Sequence, residues 1–191
     1  SLTNITIPEE VTSIKESTFE GCSSLKSIII PESVSSIEDL AFCGCSGLKS
    51  ITIPESVSSR GYSAFNRCSS LVSVNLPDGV TAIEKYTFSD CTSLTDITIP
   101  EWVTYIGESA FERCSSITSI TIPQRVTFIG SFAFLGKSNL SFYCKPSNPP
   151  IGGSTMFLSS TKIYVPQNSV NAYKAAEYWR YYSDVIYGCD F

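Results

Sequence analysis

Histidine is absent from the 191 residues. That removes every histidine-based catalytic triad and the commonest metal ligand. Cations are sparse: 13 Lys and Arg stand against 18 Asp and Glu, for a formal net charge of −5 and a pI of about 4.8. Tracking phosphates needs clustered cations, so nucleic acid is not an expected partner, and neither is an anionic membrane surface. No apolar run approaches the roughly 20 residues that cross a bilayer, which argues against membrane insertion. The G-x-S-x-G elbow of a serine hydrolase and the Gly-rich phosphate loop are both missing. An initiator Met is missing too, and the chain starts at Ser1 inside a repeat. The expectation is a trimmed or mature fragment with further repeats upstream.

What is present is a period of 23 residues. Pro recurs at Pro8, Pro31, Pro54, Pro77, Pro100 and Pro123, and Phe at Phe19, Phe42, Phe65, Phe88, Phe111 and Phe134. Val recurs at Val11, Val34, Val57, Val80, Val103 and Val126, and Cys at Cys22, Cys45, Cys68, Cys91 and Cys114. That period lies in the leucine-rich-repeat range, where a unit cannot bury its apolar side alone and must stack on its neighbours.

Each unit carries Leu-x-x-Ile-x-Ile-Pro, as in Leu2–Pro8, Leu25–Pro31 and Leu94–Pro100. Alternation along a strand puts Ile28 and Ile30 inside and Ser27 and Ile29 outside. Pro donates no N–H and closes each strand. The following Val-x-x-Ile reads as a second short strand or an extended arc. Ser-Ala-Phe-x-x-Cys, as in Ser63–Cys68 and Ser109–Cys114, reads as a short helical turn capped by Ser. Arg60 breaks the column of Ile14, Ile37, Ile83, Ile106 and Ile129. It is read as bending outward with Gly61 taking up the distortion, or as a ligand-facing notch.

The pattern fades where Lys137 replaces Cys. A loop rich in Pro and Gly follows, then a last strand at Ile163–Pro166 and a helix over Val170–Tyr178 capped by Asn168 or Ser169. The organisation is therefore 1–136, six coils with the first truncated, and 137–191, a degenerate last repeat and C-terminal cap.

The units ITIPESVSSI, SAFEGCSSL-like segments and IGESAFERCSSITSITIP, with the ending KIYVPQNSVNAYKAAEYW, resemble the BspA-like leucine-rich repeat surface proteins over essentially the whole chain. The resemblance implies an α/β repeat: a right-handed curved solenoid, mostly β, with short helical turns and a C-terminal helical cap. It implies a secreted or cell-surface adhesion protein without catalysis or cofactor. Its partner would be an extracellular protein or glycan. The fragment is expected to be monomeric.

Three groups of residues stand out as candidates. The Cys column reads as a reduced structural thiol ladder, since free Cys is a good small buried residue and Cys spaced 23 apart lack the close pairs of a zinc site. Off the column, Cys144 and Cys189 could form a staple, or stay as thiols. The outward strand positions form a flat hydroxyl-rich face suited to ligand contact, with Lys26, Lys49, Ser73, Asn75, Asp96, Thr98 and Thr121 as its candidate binding residues. Trp102, Tyr105 and Phe128 replace small residues of other coils and form an apolar patch if exposed. Two further readings stay open: a structural spacer, and a glycan-active enzyme built on paired carboxylates.

Overall fold

The strand ahead of each periodic proline sets the geometry of the chain. The computed structural model describes residues 3–158 and 160–191, with backbone alone at Ser59 and Arg60; Leu2 of the first strand motif lies outside the described residues. The chain winds into a β-solenoid of about 8 turns. A first sheet position is occupied by Asn4–Thr6, Ser27–Ile29, Ser50–Thr52, Ser73–Asn75, Ser119–Ile122, Ser141–Cys144, Lys162–Pro166 and Ile186–Cys189, paired in parallel as two, two and four strands. Alternation is as expected: Ile28 and Ile30 are buried, while Ile29 is 65 % exposed.

The Val-x-x-Ile segments form a second parallel position of two-residue strands. Ser13–Ile14, Ser36–Ile37 and Ser59–Arg60 make one sheet, and Ala82–Ile83, Tyr105–Ile106, Phe128–Ile129 and Ile151–Gly152 another. The backbone of Arg60 stays in register with Ile37. The two readings of its side chain fall outside the described side chains. Gly61 has a more immediate role: a Cβ there would sit 2.2 Å from the Asp39 nitrogen, so glycine permits the close approach of one coil to the next.

The Ser-Ala-Phe-x-x-Cys segment is not helical. It is a run of turns whose N–H groups alternate in direction. In one coil Leu40, Phe42 and Gly44 donate to the Tyr62, Ala64 and Asn66 carbonyls of the next coil, whereas Ala41, Cys43 and Cys45 fold back to Glu38, Leu40 and Phe42. With every second donor leaving the coil, no helical ladder can form. Ser63 (φ 56°) and Ser109 (φ 52°) are left-handed and donate their own N–H to Lys85 and Ser131. They therefore do not cap helices, which corrects the expectation from sequence.

Between the sheets and the turns lies the core. Phe19, Phe42, Phe65, Phe88, Phe111 and Phe134 stack with centroids 5.2 to 5.6 Å apart and planes within 16°. The column cysteines are free, and Cys45, Cys68, Cys91 and Cys114 are buried. Each of these four donates its S–H to the Phe carbonyl of the coil before it: Cys45 to Phe19 at 3.1 Å, Cys68 to Phe42 at 3.2 Å, Cys91 to Phe65 at 3.2 Å and Cys114 to Phe88 at 3.0 Å. Lys137 continues this series, fully buried, with its ammonium donating to the Phe111 carbonyl.

The C-terminal region departs from the expectation in three places. Lys162–Pro166 is not the last strand, because Ile186–Cys189 pairs with it. The Pro- and Gly-rich loop contributes Ile151–Gly152, since the Ile151 N–H reaches the Thr127 carbonyl. The α-helix spans Val170–Ala175 and stops before Tyr178: Ala176 is extended and Tyr178 has φ 64°. Ser169 makes no capping bond and instead donates to the Ser147 carbonyl at 2.7 Å. Cys144 and Cys189 are both free. The strand Lys162–Pro166 separates theirs, so the two lie about two strand spacings apart, roughly 9.6 Å, beyond the reach of a disulfide.

Candidate functional site

The first sheet is interrupted twice: Ser27–Ile29 and Ser50–Thr52 do not pair, and one later coil loses its strand. Where its neighbours form three- or four-residue strands, the segment 95–99 keeps a single bridge, Ser73 to Asp96. The next strand, Ser119–Ile122, pairs forward with Ser141–Cys144. Asp96 occupies the outward position that is Ser27, Ser50, Ser73 and Ser119 in other coils, and aspartate is disfavoured in strands. Ile97 is half-buried, whereas Ile51, Val74 and Ile120 at the same position are buried.

Two clefts flank this segment. One, of about 420 Å³, is lined by Ser73, Asn75, Asp78, Asp96, Ile97 and Thr98 among others. The second, of about 350 Å³, shares Ile97 and Thr98 and adds Glu101, Ser119, Thr121 and Lys145. Lys145 reaches Glu101 across it at 3.6 Å. Lys145 also lines a third cleft of about 530 Å³ with Gln124, Ser147, Gln167, Asn168 and Asp190. Gln167 lies against Gly188, where a Cβ would meet its Oε1 at 2.0 Å. The three clefts thus neighbour one another at the strand ends facing the prolines, linked by Ile97, Thr98 and Lys145.

The candidate residues from sequence fall into separate groups. Ser73, Asn75, Asp96, Thr98 and Thr121 line the first two clefts. Lys26 and Lys49 are exposed on earlier coils of the face and line none of the three. Trp102 is 55 % exposed, with the Arg125 guanidinium 4.2 Å from its ring centroid. Tyr105 and Phe128 lie on the second sheet, half-buried and stacked on each other at 5.1 Å. Burial raises the Tyr105 phenol above its usual range. The three aromatics therefore divide into a Trp–Arg pair and a Tyr–Phe pair.

Sequence reasoning missed a tyrosine ladder. Register carries Thr121 to Tyr143, Tyr164 and Tyr187 on one face. Tyr143 and Tyr164 stack at 4.8 Å, and Tyr164 and Tyr187 lie 5.9 Å apart. The signal was available as a Tyr in each of three unlike segments, but the irregular spacing of those segments hid their alignment.

A separate depression of about 390 Å³ gathers Glu16, Glu38, Asp39 and Glu84 with Tyr62. Its carboxylates are partly engaged. Lys15 holds Glu38 at 2.8 Å and lowers its pKa, and Asp39 accepts the Tyr62 N–H. Burial raises the pKa of Glu84. Among the described residues no group of three or more metal-ligating side chains converges, and no helix is long and apolar enough to cross a membrane.

The pattern that defines the BspA type leucine rich repeat region, in 6 copies, matches residues 1–81 and 61–176. The chain belongs to this family. Among solved structures, the leucine rich repeat protein TpLRR of T. pallidum is similar at 28 % identity and TM-score 0.74, over 80 % of this chain and 74 % of that one. A leucine-rich repeat protein from Eubacterium ventriosum is similar at 28 % identity and TM-score 0.66, over 73 % of this chain and 38 % of that one. A leucine rich cell surface protein from Faecalibacterium prausnitzii aligns at 24 % identity and TM-score 0.44, over all of this chain and 60 % of that one. Comparison with curated proteins finds no match. The BspA-type match is to a repeat region and indicates no enzyme family.

Proposed function

We propose that this BspA-type chain is a non-catalytic recognition module, secreted or at a cell surface, that binds an extracellular ligand along the groove beside Asp96. The observation that carries this reading is the loss of the strand at 95–99, flanked by two clefts that share Ile97 and Thr98. A solenoid presents a long continuous face at little cost in core, and binding sites are concave with a few placed polar groups. In this reading residues 1–136 form the presenting array, 137–191 close its end as a cap, and the array curves as a right-handed solenoid.

The test is binding of the folded, monomeric chain to a panel of extracellular matrix proteins and glycans. The variant Asn75→Ala with Asp96→Ala should lose saturable binding, and Tyr105→Ala with Phe128→Ala should keep it. Loss in the second variant instead would move the site to the other sheet. Absence of any ligand for the folded chain would favour the spacer reading.

A further inference from the structure

We infer that the ligand of this groove is a linear, uncharged oligosaccharide laid across the coils. The inference rests on the recognition reading above and names its ligand class. The direction comes from the clefts themselves: they share residues from coil to coil, Thr98 joining the first two and Lys145 the second and third. A ligand filling them crosses the strands instead of running along one.

Spacing then separates the two classes of extended ligand. Side-chain columns on parallel coils repeat at about 4.8 Å. One pyranose with its glycosidic oxygen advances by close to that distance, so one sugar would lie over each coil, with its faces alternating along a β-1,4 chain. An extended peptide repeats its same-face residues at about 6.6 Å, twice the rise per residue. It would fall out of step within a few coils. Peptide recognition also uses apolar anchor pockets, whereas the exposed lining of all three clefts is more polar than apolar, with hydroxyl, amide and carboxylate groups beside Val74, Leu76, Ile97, Ile99, Ile120 and Phe191.

The tyrosine ladder continues the same column. Thr121 lies in register with Tyr143, and Tyr164 and Tyr187 follow. Aromatic rings carry an apolar body and a polar tip, which suits the mixed C–H and hydroxyl surface of a pyranose.

Charge complementarity decides the remaining choice. Asp78, Asp96, Glu101 and Asp190 line the groove, and its cation, Lys145, already pairs with Glu101 at 3.6 Å. Excess negative charge in a cleft repels anions, which rejects uronate-containing or sulfated chains. The carboxylates accept hydrogen bonds from sugar hydroxyls, and such charge-assisted bonds are the stronger kind.

The experiment titrates the folded chain with cello- and chito-oligosaccharides from dimer to hexamer, and with a sulfated heparin hexasaccharide, by calorimetry and amide NMR. Affinity for at least one neutral series should rise with length, and shifts should centre on Asp96, Thr98, Thr121 and Tyr164. Asp96→Ala and Tyr164→Ala should each weaken binding about tenfold, the loss of one good contact, while Tyr62→Ala, in the separate acidic depression, leaves it unchanged. Failure of every neutral oligosaccharide, preference for the sulfated one, or indifference to both Asp96→Ala in the groove and Tyr164→Ala in the ladder beside it overturns the inference. If matrix proteins still bind through Asn75 and Asp96 while all oligosaccharides fail, the recognition reading stands and the glycan assignment falls.

Discussion

The regular coils pack their core in one way, and the C-terminal segment adds a second. From Phe19 to Phe134 each coil presents the same ring to its neighbour, nearly parallel. Phe157 adds one more ring to that stack, 12° from Phe134, but the other buried aromatics beyond Phe134 pack edge to face: Phe142 on Phe134 at 66°, Phe142 on Phe157 at 65° and Tyr173 on Trp179 at 85°. A translational repeat lets identical side chains stack indefinitely and leaves an open end. The C-terminal segment brings in groups of different shape with their own hydrogen bonds. Trp179 donates Nε1–H to the Pro150 carbonyl at 2.7 Å, and Tyr173 donates to the Pro146 carbonyl at 2.8 Å.

The largest effect should come from removing one ring of each kind. Phe88 and Trp179 are both fully buried, and truncating either to Ala should cost about 3–5 kcal/mol in chemical denaturation. The two should differ in where the loss appears. Because coils contact mainly their neighbours, Trp179→Ala should raise hydrogen exchange first in the C-terminal strands. Phe88→Ala should raise it in the middle of the array. A loss under about 0.5 kcal/mol for Phe88→Ala would contradict its place in the ladder.

The boundary between the two regions can be read with pH. Burial pushes Cys45 up to about 12 and Cys114 to about 11, and raises Cys68 and Cys91 as well. Unfolded thiols ionise near 8.5, so the coils lose stability as pH rises above that value. Lys137 has the opposite sign. Burial lowers it to about 8, whereas an unfolded lysine keeps its proton to about 10.4. Between those values the unfolded chain binds more protons, so this group adds stability with rising pH, about 3 kcal/mol across the window. Lys137→Met removes the titration. Its stability relative to the natural chain should therefore fall by about that amount from pH 8 to pH 10.4. A difference that stays flat with pH would mean that Lys137 is hydrated in the folded state.

The smallest effect concerns the turns. Gly21, Gly44 and Gly136 share a left-handed position with Arg67 at φ 60° and Arg113 at φ 56°. Arg67→Gly should stabilise by about 0.5–1 kcal/mol, relief of left-handed strain less the entropy that glycine loses. A small rise in melting temperature would register it. No rise would mean that the backbone entropy glycine loses on folding cancels the relief of strain.

Much of this was legible in the residues. The period of 23 and the inward Ile, Phe and Cys columns follow from stacking a repeated unit, because burial in a solenoid is decided within one coil and its neighbours. The turns were misread because Ser-Ala-Phe carries helix-like local propensity, and inter-coil hydrogen bonds overrode it. Lys137 could be seen to break the Cys column, but nothing local announced that its ammonium would take over the thiol's bond.

The candidate site divides in the same way. Asp96 stands out in its column from sequence alone, and Ser73, Asn75, Thr98 and Thr121 follow from strand alternation. That these residues line two neighbouring clefts depends on which strands keep their ladder. That Tyr143, Tyr164 and Tyr187 fall in line depends on register between segments of unequal length. The coil, its period and its inward face were set in the residues, because they arise from local alternation and repetition. Where the sheet lapses, and what lies across it, emerged only on folding, because pairing between coils is a contest among non-local hydrogen bonds.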